Sequence, residues 1–333
     1  METKIIRVSA NDDSAIADAA EILRRGGLVA FPTETVYGLG ADASNAMAVA
    51  KIFEAKGRPA DNPLIVHIAT IEQFVAMGKT ISTTAMALAK KFWPGPLTLV
   101  VEHRGHIPSI VTAELPTVAV RMPNHPVALA LIKNLGCGIV GPSANRSGRP
   151  SPTTAQHVYD DLNGNIDIIL DDGPTRIGVE STVVDVTVSP PVILRLGGLT
   201  RESIEAIVGQ VRLSTDIESL KRSPGTRHRH YAPSSRLELI HTADAAALTQ
   251  ALQRYAISHL RIGCMLHSET LFRVARTMDV EAVHLHEDEY AAKLFSLLRS
   301  FETDGVDIII VEEIPEIGIG EAVMDRLRRA AEK

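Results

Sequence analysis

Short β-branched runs alternate with amphipathic stretches along this whole chain, and that alternation confines the fold to the α/β class. KIIRV (Lys4 to Val8) reads as an opening strand, and AIADAAEILRRGG as a helix that ends on two arginines and two glycines. LVAFP is strand-like, AMAVAKIFEAKG helical, LIVHI strand-like, and IEQFVAM and AMALAKKFW helical again before PGPLTLVVEH. TVAVRMP, GIVGPSAN, DIILDDG, STVVDVTV and VILRLGG add strands, several bounded by Gly or Pro as antiparallel partners often are. A mixed, twisted sheet fits better than a purely parallel one. After RESIEAIVG the pattern weakens, and KRSPGTRHRHYAPSS (Lys221 to Ser235) has no apolar period, so it reads as a linker. RLELI, RIGCML and VDIIIVEE, separated by helical stretches, then predict a small parallel βαβ array closed by the helix GIGEAVMDRLRRAAEK. The expected divisions are a first domain over 1–208, a linker over 209–235 and a second domain over 236–333.

A length of 333 residues suits two cores rather than one. Hydrophobic and charged shares of 45% and 22% are those of an ordinary globular protein and suggest neither a disordered nor a fibrous class. No run approaches the roughly 18 apolar residues of a membrane span. METKIIRVSANDD lacks an apolar signal core and does not have the composition of a transit peptide, so the expected location is cytoplasmic. Cys137 and Cys264 lie far apart, which argues against a disulfide framework and for two buried, small apolar residues. A net charge of -6 argues against coating nucleic acid by bulk electrostatics.

Chemistry concentrates in two segments. From Phe31 the chain reads FPTETVYGLGADASNAMAVAKIFEAKGRPADNPL, in which Lys56 and Arg58 follow a helix and are bracketed by Gly57 and Pro59. A stiff, exposed loop there would let both cations meet one anion, with a phosphate the obvious candidate; a solvated helix end is the competing reading. Arg58 offers a planar fork, whereas Lys56 offers a compact charge that can follow oxygens as a bond breaks. Downstream, GPSANRSGRPSPT (Gly141 to Thr154) supplies hydroxyls, an amide and further cations, and the two loops read as opposite walls of one nucleotide site.

Several familiar devices are missing from the sequence. There is no G-x-x-x-x-G-K-[ST], and Gly38-Leu39-Gly40 lacks the third glycine of a dinucleotide fingerprint. Ser143 lacks a G-x-S-x-G context, so hydrogen bonding suits it better than attack. His228 and His230 have no third ligand nearby, and the acidic run after His284 and His286 precedes a helix whose dipole favours carboxylates. Trp93 reads as a core anchor. Tyr231, an aromatic inside a basic linker, can act on a ligand only if that loop closes.

PTETVYGLG, KGRPADNPLIVHI, WPGPLTLV, VAVRMPNHP, GPSANRSGRPSPT, GVESTVVD, LRLGG, SPGTRHRHYAP and GIGEAVMDRLRRAA, in this order, resemble the two-domain threonylcarbamoyl-AMP synthases nearly end to end. The resemblance implies a twisted, mixed open sheet of the YrdC-like kind, followed by a smaller parallel-sheet, Rossmann-like α/β domain. It implies a nucleotidyltransferase that makes L-threonylcarbamoyl-AMP and pyrophosphate from L-threonine, bicarbonate or CO2, and ATP, for threonylcarbamoyladenosine in tRNA. Mg²⁺ would arrive on ATP with no ligands from protein side chains, and a downstream threonylcarbamoyl transferase complex would take the product.

Carried over by position, the family's Lys-x-Arg and Ser-x-Asn tetrad falls on Lys56, Arg58, Ser143 and Asn145. Threonine would be held by Thr35, His67, Arg121 and Ser181, with Arg121 forking onto its carboxylate. ATP would contact Arg58, Asn62, Thr117, Ser143, Ser151, Arg195 and, from a closing linker, Tyr231. Position 141 departs from the pattern, being Gly where some relatives place Thr, so a substrate contact there would have to use the backbone. Two other readings stay open at this point. The linker cations Lys221, Arg222, Arg227 and Arg229 could grip structured RNA, tRNA included, and the same adenylate chemistry could serve a carbamoyl transferase acting on a protein carrier.

Overall fold

A computed structural model describes residues 2–9, 11–214, 231–278 and 280–332. It falls into two compact units, residues 1–147 with 151–228, and residues 148–150 with 229–333.

The first unit is built on β1 (Lys4–Arg7), β2 (Val29–Phe31), β3 (Gly38–Asp42), β4 (Ile65–His67), β5 (Leu97–Glu102), β6 (Thr117–Arg121), β7 (Ile139–Val140), β8 (Ile168–Asp171), β9 (Thr182–Asp185), β10 (Val192–Arg195) and β11 (Arg212–Leu213). They form one sheet in the order β1-β8-β2-β3-β7-β4-β6-β5-β9-β10-β11. The sheet is mixed: β4 and β6 run parallel, as do β5 and β9, while β3 with β7, β4 with β7, and β5 with β6 are antiparallel. Alternation along the strands sends Leu39, Val66, Val118, Val120 and Val140 into the largest core, with Ile52, Phe74, Leu88 and Trp93. Ile65 and Ala119 point the other way, into a small cluster with Val100, Val183 and Leu194. Because the period is two, His67 and Arg121 must share that second face. Trp93 anchors the larger core as expected, donating its indole N–H to Leu97 O at 2.7 Å and meeting Phe74 edge-on.

Two expectations need correction. Arg212 and Leu213 pair in parallel with Val192 and Ile193, so the first sheet extends past residue 208, where the linker was expected to begin. A two-residue edge strand leaves no periodic signal. Cys137 is half-buried rather than buried, its thiol donating to Asp42 Oδ1 at 3.2 Å; Cys264 is buried. Burial, followed by the Asp42 contact, pushes the Cys137 thiol up to about 12, so it stays protonated.

The second unit carries β12 (Arg236–Ile240), β13 (Ile262–Leu266), β14 (Glu281–His284) and β15 (Ile308–Glu312), all parallel, in the order β12-β15-β13-β14. Three of them were expected; β14, a short run in polar surroundings, was not. Glu312 is fully buried at the end of β15 and accepts from the backbone N–H of Ala243, His267 and Ser268. Its carboxylate therefore fills the place at the strand ends where Rossmann-like sheets receive an anion. Tyr231 is buried, stacked on Phe295 at 5.5 Å with the Arg326 guanidinium 5.1 Å from its ring. Arg149 pairs with Glu302 at 2.8 Å, and Ala232 N donates to Gly148 O. No helix among the described residues is long and apolar enough to cross a membrane.

Candidate active site

Asn45 caps the helix Ala46–Lys56 by accepting from Met47 N and Ala48 N, and Gly57 ends it at φ 60°, a left-handed turn that favours glycine. Lys56 is therefore the last helical residue, and it is buried at 4% exposure rather than lying on an exposed loop. Its ammonium donates to Asn145 O at 2.6 Å and to Ser143 O, while Ser147 N donates back to Lys56 O at 2.8 Å. The two segments singled out in the sequence are thus stitched together by the cation itself. Arg58 is half-buried, with Nη2 near the carbonyls of Asn62 and Pro63 at 3.4 and 3.3 Å. Burial, then the neighbouring Arg58 charge, lowers the Lys56 pKa well below that of an ordinary lysine, with Asp161 opposing. An incoming anion would restore it.

The Thr33–Gly38 turn forms the adjoining wall. Thr33 Oγ1 accepts from Thr35 N at 3.1 Å, donates to Val36 O at 2.6 Å and lies 2.9 Å from Thr35 Oγ1, a local hydroxyl turn of the kind threonine favours. Tyr37 N donates to Pro152 O, Ala144 N to Tyr37 O, Ile177 N to Glu34 O and Gly178 N to Thr35 O. These bonds hold Thr35 between the loop of Ser143 and the segment leading to Ser181.

Strand register supplies the third wall. His67 pairs with Arg121, Arg121 with Thr98, Thr98 with Val183 and Val183 with Arg195, one continuous row across β4, β6, β5, β9 and β10. Ser181, just ahead of β9, joins it: its hydroxyl is 2.8 Å from Thr98 Oγ1, and Arg195 Nη2 donates to its carbonyl at 2.9 Å and its hydroxyl at 3.2 Å. Arg121 makes a buried ion pair with Glu34 at 2.8 Å. Thr117 begins β6, four residues before Arg121 and about 13 Å away at the usual strand rise. Ser151 is buried and donates to Glu180.

Gly141 carries a close approach. A Cβ there would lie 2.8 Å from His67 Nδ1 and 3.0 Å from Phe31 Cζ, so glycine leaves the space the imidazole occupies. Its N–H is already given to Ile65 O at 2.9 Å, which removes the backbone donor that a substrate contact at this position would need. Burial, reinforced by Arg121, pushes the His67 pKa down to about 3, so the ring is neutral near pH 7. Between that value and about 6.5 the unfolded chain takes up a proton that the folded chain refuses, so stability falls as pH falls through this window. From pH 7.5 to 5, denaturant unfolding of the parent is expected to lose about 2 kcal/mol more than that of His67→Gln. Equal losses would remove the buried, neutral imidazole.

Lys56, Arg58, Asn62, Ser143 and Asn145 thus gather at one end of the helix, and His67, Arg121, Ser181 and Arg195 along one strand row. Tyr231 belongs to the second unit, and His228, His230, Lys221, Arg222, Arg227 and Arg229 lie outside the described residues. Sequence reasoning missed Glu34, Thr98 and Glu180. Glu34 sits inside PTETVYG and Thr98 interrupts the apolar run LTLVV, the one signal each offered.

A family model described as "Telomere recombination", covering Sua5, YciO and YrdC, matches residues 21–197. A second, described as "Threonylcarbamoyl-AMP synthase, C-terminal domain", matches residues 199–332. The chain belongs to the threonylcarbamoyl-AMP synthase family. It is 45% identical over 324 residues to the threonylcarbamoyl-AMP synthase of Pyrococcus abyssi, covering 94% of this chain and 93% of that one. The Bacillus subtilis threonylcarbamoyl-AMP synthase is 46% identical over 332 residues, covering 96% and 94%. The crystal structure of P. abyssi Sua5 complexed with L-threonine superposes with a TM-score of 0.91 at 44% identity, over 99% of this chain and 98% of that one. The threonylcarbamoyl-AMP synthase fold therefore extends through both units, as the mixed sheet and the separate parallel sheet indicate.

Proposed function

We propose that this chain condenses L-threonine, bicarbonate or CO2, and ATP into L-threonylcarbamoyl-AMP and pyrophosphate, the donor from which a threonylcarbamoyl transferase complex modifies tRNA. One observation supports it above the others: a buried ammonium joins two distant loops, and one strand row carries two arginines. The amine of threonine captures CO2 as a carbamate, and a carbamate oxygen attacks the α-phosphorus of ATP with pyrophosphate leaving. That path requires an amino acid and a polyphosphate on neighbouring anchors, out of water.

Arg121 takes the threonine carboxylate with its planar fork. Neutral His67, Thr35 and Ser181 present hydrogen-bonding groups around the rest of the amino acid. Lys56 and Arg58 balance the negative charge that shifts from the α-phosphoryl group onto the leaving pyrophosphate, with Ser143 and Asn145 holding its oxygens. Asn62, Thr117, Ser151 and Arg195 contact the remainder of the nucleotide. Mg²⁺ enters as part of the MgATP substrate.

Purified protein is expected to release pyrophosphate only when MgATP, L-threonine and bicarbonate are all present, with threonylcarbamoyl-AMP identified by mass spectrometry. Release that persists without threonine would refute the reading. Carbamoyl phosphate accepted in place of bicarbonate would favour the carbamoyl transferase instead.

A further inference from the structure

Glu34 is a carboxylate without an assigned task inside the candidate threonine site. Its side chain is 1% exposed and lies 2.8 Å from Arg121 Nη2, yet neither of its oxygens receives a hydrogen bond. The backbone on either side is held, since Ile177 N donates to Glu34 O and Thr35 N to Thr33 Oγ1, so the carboxylate cannot swing out to water without unpicking the turn. Burying an under-bonded carboxylate is costly, and a cation beside it compensates only in part. A ligand that brings N–H donors to that spot would complete it.

An α-amino acid is a zwitterion whose two charged groups are bonded to one carbon, and a buried Arg–Glu pair at contact distance is its electrostatic complement. Resting on the threonine reading above, we propose that Glu34 recognises the α-ammonium of the substrate while Arg121 takes the α-carboxylate. The pair then selects amino acids over hydroxy acids of the same shape, because a hydroxyl supplies neither the charge nor the number of donors that an ammonium does. Glu34 also aims the nitrogen that must meet CO2, since the carboxylate fixes where the amine stands relative to Arg121. His67, Thr35 and Ser181 surround the same molecule but carry no negative charge, so this discrimination falls to Glu34.

The test is equilibrium binding by calorimetry, without ATP, of L-threonine and of dihydroxybutyrate, which has a hydroxyl in place of the amine. The parent is expected to favour threonine by on the order of 10²-fold. In Glu34→Gln that preference should shrink to within about fivefold, chiefly through weaker threonine binding. Glu34→Asp, which keeps the charge but withdraws it by one methylene, should retain part of the preference and guards against a Gln variant that fails to fold. A parent that binds both compounds equally, or a Glu34→Gln protein with its preference intact, would overturn the role of Glu34. A parent that binds no L-threonine would instead bring down the functional reading on which this rests.

Discussion

Replacing Lys56 by methionine is expected to slow adenylate formation by on the order of 10³-fold, the range seen when one preorganised donor to a developing charge is removed. Methionine keeps the stem that fills the buried position, so circular dichroism and the unfolding midpoint should shift far less than for Lys56→Ala. Both variants release the loop carbonyls of Ser143 and Asn145, since neither side chain donates, but alanine also leaves the volume of the stem empty. The ammonium also carries a proton signature. Since burial lowers its pKa and a triphosphate raises it again, ATP affinity should weaken as pH rises through the lowered Lys56 pKa, with a proton taken up on binding in that range. Calorimetry of ATP binding in buffers of different ionisation enthalpy reads that uptake, which should be absent from Lys56→Met. Turnover within twofold of the parent would remove Lys56 from the chemistry.

Arg121→Met should do more damage to the fold. It leaves Glu34 buried without its cation, and breaking one side of a buried ion pair typically costs about 3–5 kcal/mol. Threonine binding should fall by more than about 10²-fold in the same variant, since the carboxylate loses a bidentate partner. Adding Glu34→Gln should return much of the stability without returning threonine binding, which separates the pair's structural contribution from its recognition. Arg121→Lys preserves charge but not the fork, so it should keep most of the stability and only a small part of the affinity. An Arg121→Met protein as stable as the parent would show that the ion pair does not hold this face of the sheet.

Much of the architecture is legible in the sequence. Helix ends marked by Asn45 and Gly57 act within a turn or two of the residues they cap, and β-branched runs declare themselves by period. Among the elements that escaped notice, the edge strands Arg212–Leu213 and Glu281–His284 are short and become strands only because a neighbour offers its hydrogen bonds. The Lys-x-Arg pair was legible as chemistry but not as burial. Glu34 was in plain view in PTETVYG, yet nothing local indicates that it meets an arginine 87 positions away.

The α/β class, the two-part organisation, the family and the loops that carry charge and hydroxyls can be read along the chain, because alternation, capping and motif order act over short stretches. That Lys56 is enclosed, that His67 is neutral and that His67, Arg121, Thr98 and Arg195 share one row follows from folding alone. Burial and strand register depend on which distant segment lies alongside, and a shift of one residue would turn every side chain of that row to the opposite face.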